Sequence, residues 1–134
     1  MSDSLVGPVR GILVTHGQMG SGMVDAVRRI ADPPEGALVP VSNSGMGPDE
    51  LLRAVVEAAG EGPAIIFTDL QSGSCALAAR FACREPGGRR IVHGTNLPML
   101  LDFVFHRDLP LDDLVRRLVE KGREAVRAFE PEPR

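Results

Sequence analysis

His16 and Asp69 are the residues whose type and position best suit chemistry in this chain. His16 follows the apolar run 9–15 and precedes Gly17, and Asp69 ends a second apolar run, residues 63–69. A carboxylate that holds one imidazole nitrogen fixes the tautomer and leaves the other nitrogen as a nucleophile. We therefore predict a catalytic pair in which His16 attacks and Asp69 orients it.

Small residues near this pair are candidates for binding phosphate. Gly17 leaves backbone N–H groups sterically open, and the loop Ser72-Gly73-Ser74 offers two hydroxyls and the amides that begin a helix. These groups suit a phosphoryl group carried on His16. The same residues are also compatible with a plainer interpretation, in which His16 is a polar strand end and Ser74 a helix cap.

Hydrophobic periodicity predicts strands that alternate with helices. Short apolar runs bounded by Gly or Pro indicate buried strands, and apolar residues three and four apart indicate helices. The predicted strands are residues 9–15, 37–42, 63–69 and 89–93, and the predicted helices are 21–31, 48–59, 74–84, 97–106 and 111–129. Pro40 cannot donate to a ladder and places the second strand at an edge, and Asn96 is the predicted N-cap of the fourth helix.

This alternation predicts an α/β fold: a doubly wound, mostly parallel sheet of four to five strands with helices on both faces. The first strand is expected at the centre, flanked by the second and third. Ligands of such sheets bind beyond the carboxyl ends of the strands, where the winding reverses. The loops that carry His16 and Asp69 should therefore meet.

Composition limits the class of protein. The 134 residues fit one domain, expected over residues 9–129 with short tails at 1–8 and 130–134. A net charge of −3 and the absence of Trp and Tyr argue against a nucleic-acid partner. No apolar run approaches the ~20 residues that span a bilayer, and the N-terminus does not follow the signal-peptide pattern.

Other histidine and cysteine chemistries fit less well. Cys75 and Cys83 have no zinc-ligand spacing and are predicted to be small buried hydrophobes, and no second clear metal ligand accompanies His16, so neither a metal nor a cofactor is expected. Thr15 stands where a histidine phosphatase would be expected to have Arg. The glycines after His16 do not form GxGxxG, and no Walker A motif is present.

Three stretches together resemble the IIA domain of the mannose-family sugar phosphotransferase system. They are GILVTHGQMGSGM, FTDLQSGSCALAAR and GTNLPMLLD, and the end of the chain, EKGREAVRAF, is also similar. The resemblance covers residues 9–129. It departs from the family at Gln71-Ser72-Gly73-Ser74-Cys75, where the family usually has Gly-Gly-Ser-Pro after an aromatic or polar residue.

The resemblance implies a cytoplasmic homodimer with a phosphotransferase role. Such domains accept a phosphoryl group from the phosphocarrier HPr on one histidine and pass it to a histidine of a IIB domain. The matching residue is His16, with the phosphoryl group on its distal nitrogen, and Asp69 matches the acidic partner. The IIB partner is expected to be a separate chain. The alternatives are a regulator that responds to phosphorylation of His16, and the phosphotransfer subunit of a dihydroxyacetone kinase.

Met19 and Met46 are predicted to help form the docking surface for these phosphoryl partners. Both are placed in loops at the carboxyl ends of strands, flanked by Gly or Ser. Flexible, polarizable Met side chains suit a surface that binds more than one shape. The alternative is that each methionine folds back onto the core.

Overall fold

The structure is a computed structural model that describes residues 8–84 and 87–133. Its elements, in chain order, are β1 (Arg10–Thr15), α1 (Met19–Ala31), β2 (Leu38–Ser42), α2 (Pro48–Ala59), β3 (Ala64–Thr68), α3 (Ser74–Ala82), β4 (Arg89–Val92), α4 (Leu97–Phe105) and α5 (Leu111–Glu124). The predicted alternation of strands and helices is confirmed, and most bounds differ from prediction by one or two residues.

The sheet is parallel and four-stranded, with the order β2-β1-β3-β4. The predicted doubly wound fold is confirmed: β1 is central, β2 and β3 flank it, and the strand that contains Pro40 is at an edge. Thr15 is in register with Ser42, and Val14 with Thr68. The residues that follow these strands therefore emerge at one edge of the sheet.

Successive side chains of a strand point to opposite faces of the sheet, and both faces of this sheet are apolar, so helices cover both. Leu13 and Phe67 face a layer built from α1, α4 and α5, while Ile12 and Ile66 face α2 and α3. Phe67 and Phe103 meet edge to face, with ring centroids 5.2 Å apart. This geometry adds about 0.5–1.5 kcal/mol beyond area burial and fixes α4 on the sheet.

Two helix bounds were predicted wrongly. α1 begins at Met19 rather than at residue 21, so Met19 is the first residue of a helix and not a loop residue. α5 ends at Glu124 rather than at residue 129. Val126 and Phe129, which lie within the predicted helix 111–129 but beyond its observed end, are 78% and 88% exposed.

The side chain of Asn96 accounts for the early end of α5. It accepts a hydrogen bond from the Met99 N–H, which confirms the predicted N-cap. It also donates to the carbonyl of Gly122 at 3.0 Å. In a continuing helix that carbonyl would accept from Val126, whose N–H bonds to Arg123 instead. A long-range side-chain contact therefore ends the helix.

Parts of some predicted segments lie outside the described residues: residues 1–7 of the tail predicted over 1–8, and Arg134 of the tail predicted over 130–134. Glu85 and Pro86, which follow the predicted helix 74–84, also lie outside them. Residues 130–133 are exposed and lie in no helix or strand. The single domain over 9–129 stays a prediction.

Candidate functional site

The carboxyl ends of β1, β2 and β3 converge on one cluster of polar residues. His16, Asn43 and Asp69 are each the residue directly after the last residue of a strand, and the register places these strand ends side by side. This edge is the point where the winding of the sheet reverses. The structure thus brings together the two residues, His16 and Asp69, that the sequence singled out.

Asp69 holds His16 by two hydrogen bonds from different parts of the residue. Its Oδ2 accepts from the backbone N–H of His16 at 2.9 Å and lies 2.9 Å from the ring Nδ1. An ionised carboxylate can only accept, so Nδ1 carries the proton and Nε2 keeps its lone pair. The His16 side chain is 43% exposed while Asp69 is only 8% exposed. The arrangement presents a nucleophilic nitrogen at the surface above a sheltered carboxylate.

The pKa of Asp69 lies below its usual range. Burial alone would raise this pKa, but the backbone N–H, ring and charge of His16, together with the backbone N–H of Leu70, outweigh it. The net lowering keeps the carboxylate ionised at neutral pH. Asp69 can therefore stabilise positive charge that develops on the His16 ring.

Asn43 is a site residue that the sequence interpretation missed. Its Oδ1 accepts from the Gly17 N–H at 3.2 Å, and its Nδ2 donates to Ser74 Oγ at 3.3 Å. It therefore links the loops that follow β1, β2 and β3. The signal was available, because Asn43 directly follows the strand predicted to flank the first.

Gly17 has a left-handed backbone, with φ of +58°, which favours glycine. Its N–H already donates to Asn43, and its carbonyl accepts from Ser42 Oγ at 2.7 Å. Gly17 therefore shapes the turn that carries His16. A direct bond from Gly17 to phosphate stays a prediction.

The N-terminus of α3 lies beside the His16 ring. Gly73 has a φ of +95°, and a Cβ built on it would be in ordinary van der Waals contact with Nε2, at 3.7 Å. The helix begins at Ser74, and the first amides of a helix have no intrahelical acceptor. Ser74 is thus the first helical residue rather than the cap, and Ser72 is exposed in the preceding loop. The positive end of the α3 dipole therefore lies on the side of the ring that Gly73 approaches. A role of the Ser72 and Ser74 hydroxyls in binding phosphate stays a prediction.

Cys75 lies under the histidine, in the first turn of α3. It is fully buried, and its Sγ is 3.8 Å from His16 Nδ1. Burial and then the charge of Asp69 raise the pKa of its thiol, against a smaller opposite effect from Ser74. Cys75 and the half-buried Cys83 are not in a disulfide, which agrees with their predicted state as small hydrophobes.

His93, which follows β4, lines the same surface pocket as Asp69. The Thr68 hydroxyl donates to the Leu70 carbonyl at 2.7 Å, so the 2.6 Å contact with His93 Nδ1 requires that nitrogen to donate. Burial, followed by the charge of Arg80, lowers the pKa of His93, although the Leu70 backbone opposes this. His93 is therefore a neutral ring that supports the loop after β3.

Met19 and Met46 both present exposed side chains near the site, at 46% and 41%. Met46 also lines an apolar groove of about 240 Å³ between α2 and α3, which runs from Ser74 to Leu77 and Phe81. Their role in docking stays a prediction.

No helix within residues 8–84 and 87–133 is both long and apolar enough to cross a membrane. The model of the EIIA-man family, described as the PTS system fructose IIA component, matches residues 11–119. The chain belongs to this family of IIA components of the phosphotransferase system, and the predicted resemblance is confirmed. No curated protein matches the chain significantly.

Solved structures of the same class share this fold. The mannose/sorbose-specific IIA subunit from Enterococcus faecalis is 26% identical with a TM-score of 0.80, over 94% of this chain and 98% of that one. The EIIA component from Streptococcus agalactiae is 24% identical with a TM-score of 0.84, over 90% and 97%. A IIA protein associated with the fucose utilization operon of Streptococcus pneumoniae is 22% identical with a TM-score of 0.71, over 90% and 93%.

Proposed function

We propose that the chain is a cytoplasmic phosphocarrier that accepts a phosphoryl group from phospho-HPr on His16 and passes it to a histidine of a separate IIB protein in sugar uptake. The observation that carries this proposal is the His16–Asp69 contact of 2.9 Å at the reversal point of the sheet. Membership of the IIA family supplies the partner classes.

The transfer step follows from the tautomer. The Nε2 lone pair of His16 attacks phosphorus, while the bond from phosphorus to the HPr histidine breaks and its electron pair returns to that ring. With Nδ1 protonated, the phosphorylated imidazole carries positive charge, which the ionised Asp69 stabilises. Onward transfer reverses these roles, with the IIB histidine as nucleophile. The chain needs no cofactor for either step.

Groups around Nε2 would hold the phosphoryl oxygens. The proposed donors are the first amides of α3, which have no intrahelical acceptor, and the hydroxyls of the exposed Ser72 and Ser74. Donors fixed in advance at such a position stabilise the charge of the transition state. Gly73 lets the helix end approach the ring, because any side chain there would be strained at a φ of +95°.

Exposed apolar side chains around this site suit docking of the two partners. Met19 begins α1 three residues after His16, and Met46 and Leu77 border the groove that reaches Ser74. An apolar rim excludes water from the transferring phosphoryl group. Both methionines are therefore proposed as contacts for HPr and IIB.

The chain is also proposed to form a homodimer. β4 is an edge strand with one side unpaired by any described strand, and such edges need cover. The exposed Val126 and Phe129 follow α5 and supply apolar surface that the monomer leaves uncovered. Sedimentation at micromolar protein should give twice the chain mass of 14.3 kDa. A monomer across that concentration range contradicts the proposal.

The central experiment incubates the chain with phosphoenolpyruvate, enzyme I and HPr, and then maps any phosphohistidine. The expected adduct is on His16 and is labile in acid but stable in base, as a P–N bond is. Omission of HPr is the control and should abolish labelling. Labelling at another residue, or none at all, contradicts the proposed relay.

A further inference from the structure

Three metal-binding side chains converge beneath the exposed edge of the His16 ring. The donor atoms are Nδ1 of His16, a carboxylate oxygen of Asp69 and Sγ of Cys75, and they all lie within 4.8 Å of one another. They come from three parts of the chain: the ends of β1 and β3, and the first turn of α3. Spacing along the chain predicts no metal site, because Asp69 lies 53 positions after His16. Only the fold assembles the cluster.

We propose that His16, Asp69 and Cys75 form a zinc site whose occupation blocks phosphorylation of His16. The inhibition of phosphorylation rests on the proposed function of His16, whereas the zinc site itself rests only on the geometry of the three side chains.

The donor set and spacing suit Zn²⁺. Imidazole nitrogen, thiolate sulfur and carboxylate oxygen are its usual ligands, at about 2.0–2.3 Å, which places tetrahedral ligands about 3.3–3.8 Å apart. The Nδ1–Sγ distance is 3.8 Å, and the Nδ1–Oδ2 distance of 2.9 Å needs to widen by a few tenths of an ångström. The third pair, the Asp69 carboxylate oxygen and Cys75 Sγ, lies within 4.8 Å and is drawn together when both atoms bind the ion. Three protein ligands leave the fourth position to water, as in zinc sites that stay open.

The ion has a route to these ligands through the histidine. The His16 side chain is 43% exposed, whereas Asp69 is sheltered and Cys75 is fully buried. The ring is carried on the loop between β1 and α1. Entry of the ion requires this ring to move aside from the two ligands beneath it.

Zinc binding changes which nitrogen of His16 carries the proton. The ion bonds to Nδ1 and displaces the proton that forms the hydrogen bond to Asp69 in the metal-free chain. The neutral ring then carries its proton on Nε2. The Cys75 thiol releases its proton to solvent as sulfur binds the metal. Nε2–H has no lone pair and cannot attack phosphorus, so bound zinc and nucleophilic His16 exclude each other.

Titration of the purified, metal-free chain with Zn²⁺ against a chromophoric chelator tests the site directly. We expect one ion per chain. Cys75→Ala should bind zinc at least ~10-fold more weakly, because loss of a metal ligand lowers affinity at least as much as loss of a residue that only hydrogen-bonds to a ligand. Cys75→Ser, which keeps the size of the side chain, should weaken binding similarly. Cys83→Ala is the matched control and should bind like the wild type. Unchanged affinity in both Cys75 variants overturns the proposal.

Cobalt provides a second measurement. Co²⁺ bound to the chain should give a thiolate-to-metal charge-transfer band in the near ultraviolet, which Cys75→Ala loses and Cys83→Ala keeps. A band that disappears with Cys83 instead, or no band in the wild type at saturating Co²⁺, contradicts ligation by Cys75.

Inhibition is tested with purified phospho-HPr in the absence of enzyme I, so that zinc acts only on this step. One equivalent of Zn²⁺ should suppress labelling of His16, and a chelator should restore it. Equal labelling of the zinc-bound and metal-free chains overturns the inhibitory role. If the metal-free chain is not labelled at all, the phosphocarrier proposal fails, whereas the titration still decides whether the zinc site exists.

Discussion

The described residues contain two histidine–aspartate pairs whose exposures are similar but whose chemistry differs. His16 and Asp69 are 43% and 8% exposed, and His106 and Asp102 are 34% and 14% exposed. In the first pair, Nδ1 lies 2.9 Å from the carboxylate. In the second, Nδ1 lies 3.5 Å from the carboxylate and instead bonds to the Asp102 backbone carbonyl at 2.8 Å.

The carboxylates of the two pairs have different partners. Asp102 accepts two hydrogen bonds from Arg117, at 2.8 and 3.0 Å, and so ties α4 to α5. Asp69 has no arginine partner among the described residues, and its bonds go to His16 and to the adjacent Leu70 N–H. Proximity of His and Asp therefore does not by itself make a catalytic pair. The carboxylate must bond to the imidazole, as Asp69 does, and not to an arginine, as Asp102 does.

The largest expected difference between the pairs is in phosphoryl acceptance. His16→Ala should abolish labelling by phospho-HPr, because it removes the ring whose Nδ1 bonds to Asp69 and whose Nε2 is the proposed phosphoryl acceptor. His106→Ala should be labelled like the wild type, since its ring bonds to a helix carbonyl. The measurement is labelled phosphate per chain after incubation with phospho-HPr. Full labelling of His16→Ala would refute the mechanism.

The carboxylates should differ in their effect on rate. Asp69→Asn should slow transfer by ~10²–10⁴-fold, the usual contribution of a positioned acid–base group, because the neutral amide cannot stabilise the charged ring. Rapid-quench measurement of transfer from phospho-HPr gives the rate.

Asp102→Asn is the matched control for this experiment. It should lower the melting temperature, because it weakens the Arg117 contact, but leave the transfer rate unchanged. An Asp69→Asn rate equal to wild type would show that Asp69, like Asp102, has only a structural role.

A smaller effect is expected from the apolar surface beside the first pair. Met19→Glu and Met46→Glu should each slow transfer from phospho-HPr by ~5–30-fold, the equivalent of one or two kcal/mol of lost docking energy. Ile30→Glu, at the far end of α1 and 62% exposed, should transfer normally. Each variant is first checked for an unchanged melting temperature. Wild-type rates in folded methionine variants would place the docking surface elsewhere.

The smallest effect concerns His93, whose ring bonds to a hydroxyl rather than to a carboxylate. Because its pKa is lowered in the folded chain, the unfolded chain binds this proton more readily, and stability falls as pH drops below the ordinary value of 6.5. His93→Asn keeps a donor near the Nδ1 position but does not titrate. The loss of melting temperature from pH 7.5 to 5.5 should therefore be smaller in His93→Asn than in the wild type. An equal fall in melting temperature in the two proteins would show that His93 does not cause this pH dependence.

The contacts of His16 differ in how far the sequence predicts them. The meeting of His16 and Asp69 was predicted because both follow apolar strands, and the carboxyl ends of neighbouring parallel strands share an edge. The contact of Cys75 with His16 was not predicted. Helix periodicity places Cys75 on the buried face of α3 but does not specify which residue lies across from it.

The sequence by itself determined the order and type of the elements, the central position of β1, and the strand-end placement of His16 and Asp69. These features depend on local periodicity and on topological rules that hold for any parallel sheet. Tertiary structure alone decided the end of α5, the bridging role of Asn43 and the contact of Cys75 with His16. The physical reason is that each of these depends on contacts between residues distant in sequence, such as Asn96 with Gly122, and no local pattern records them.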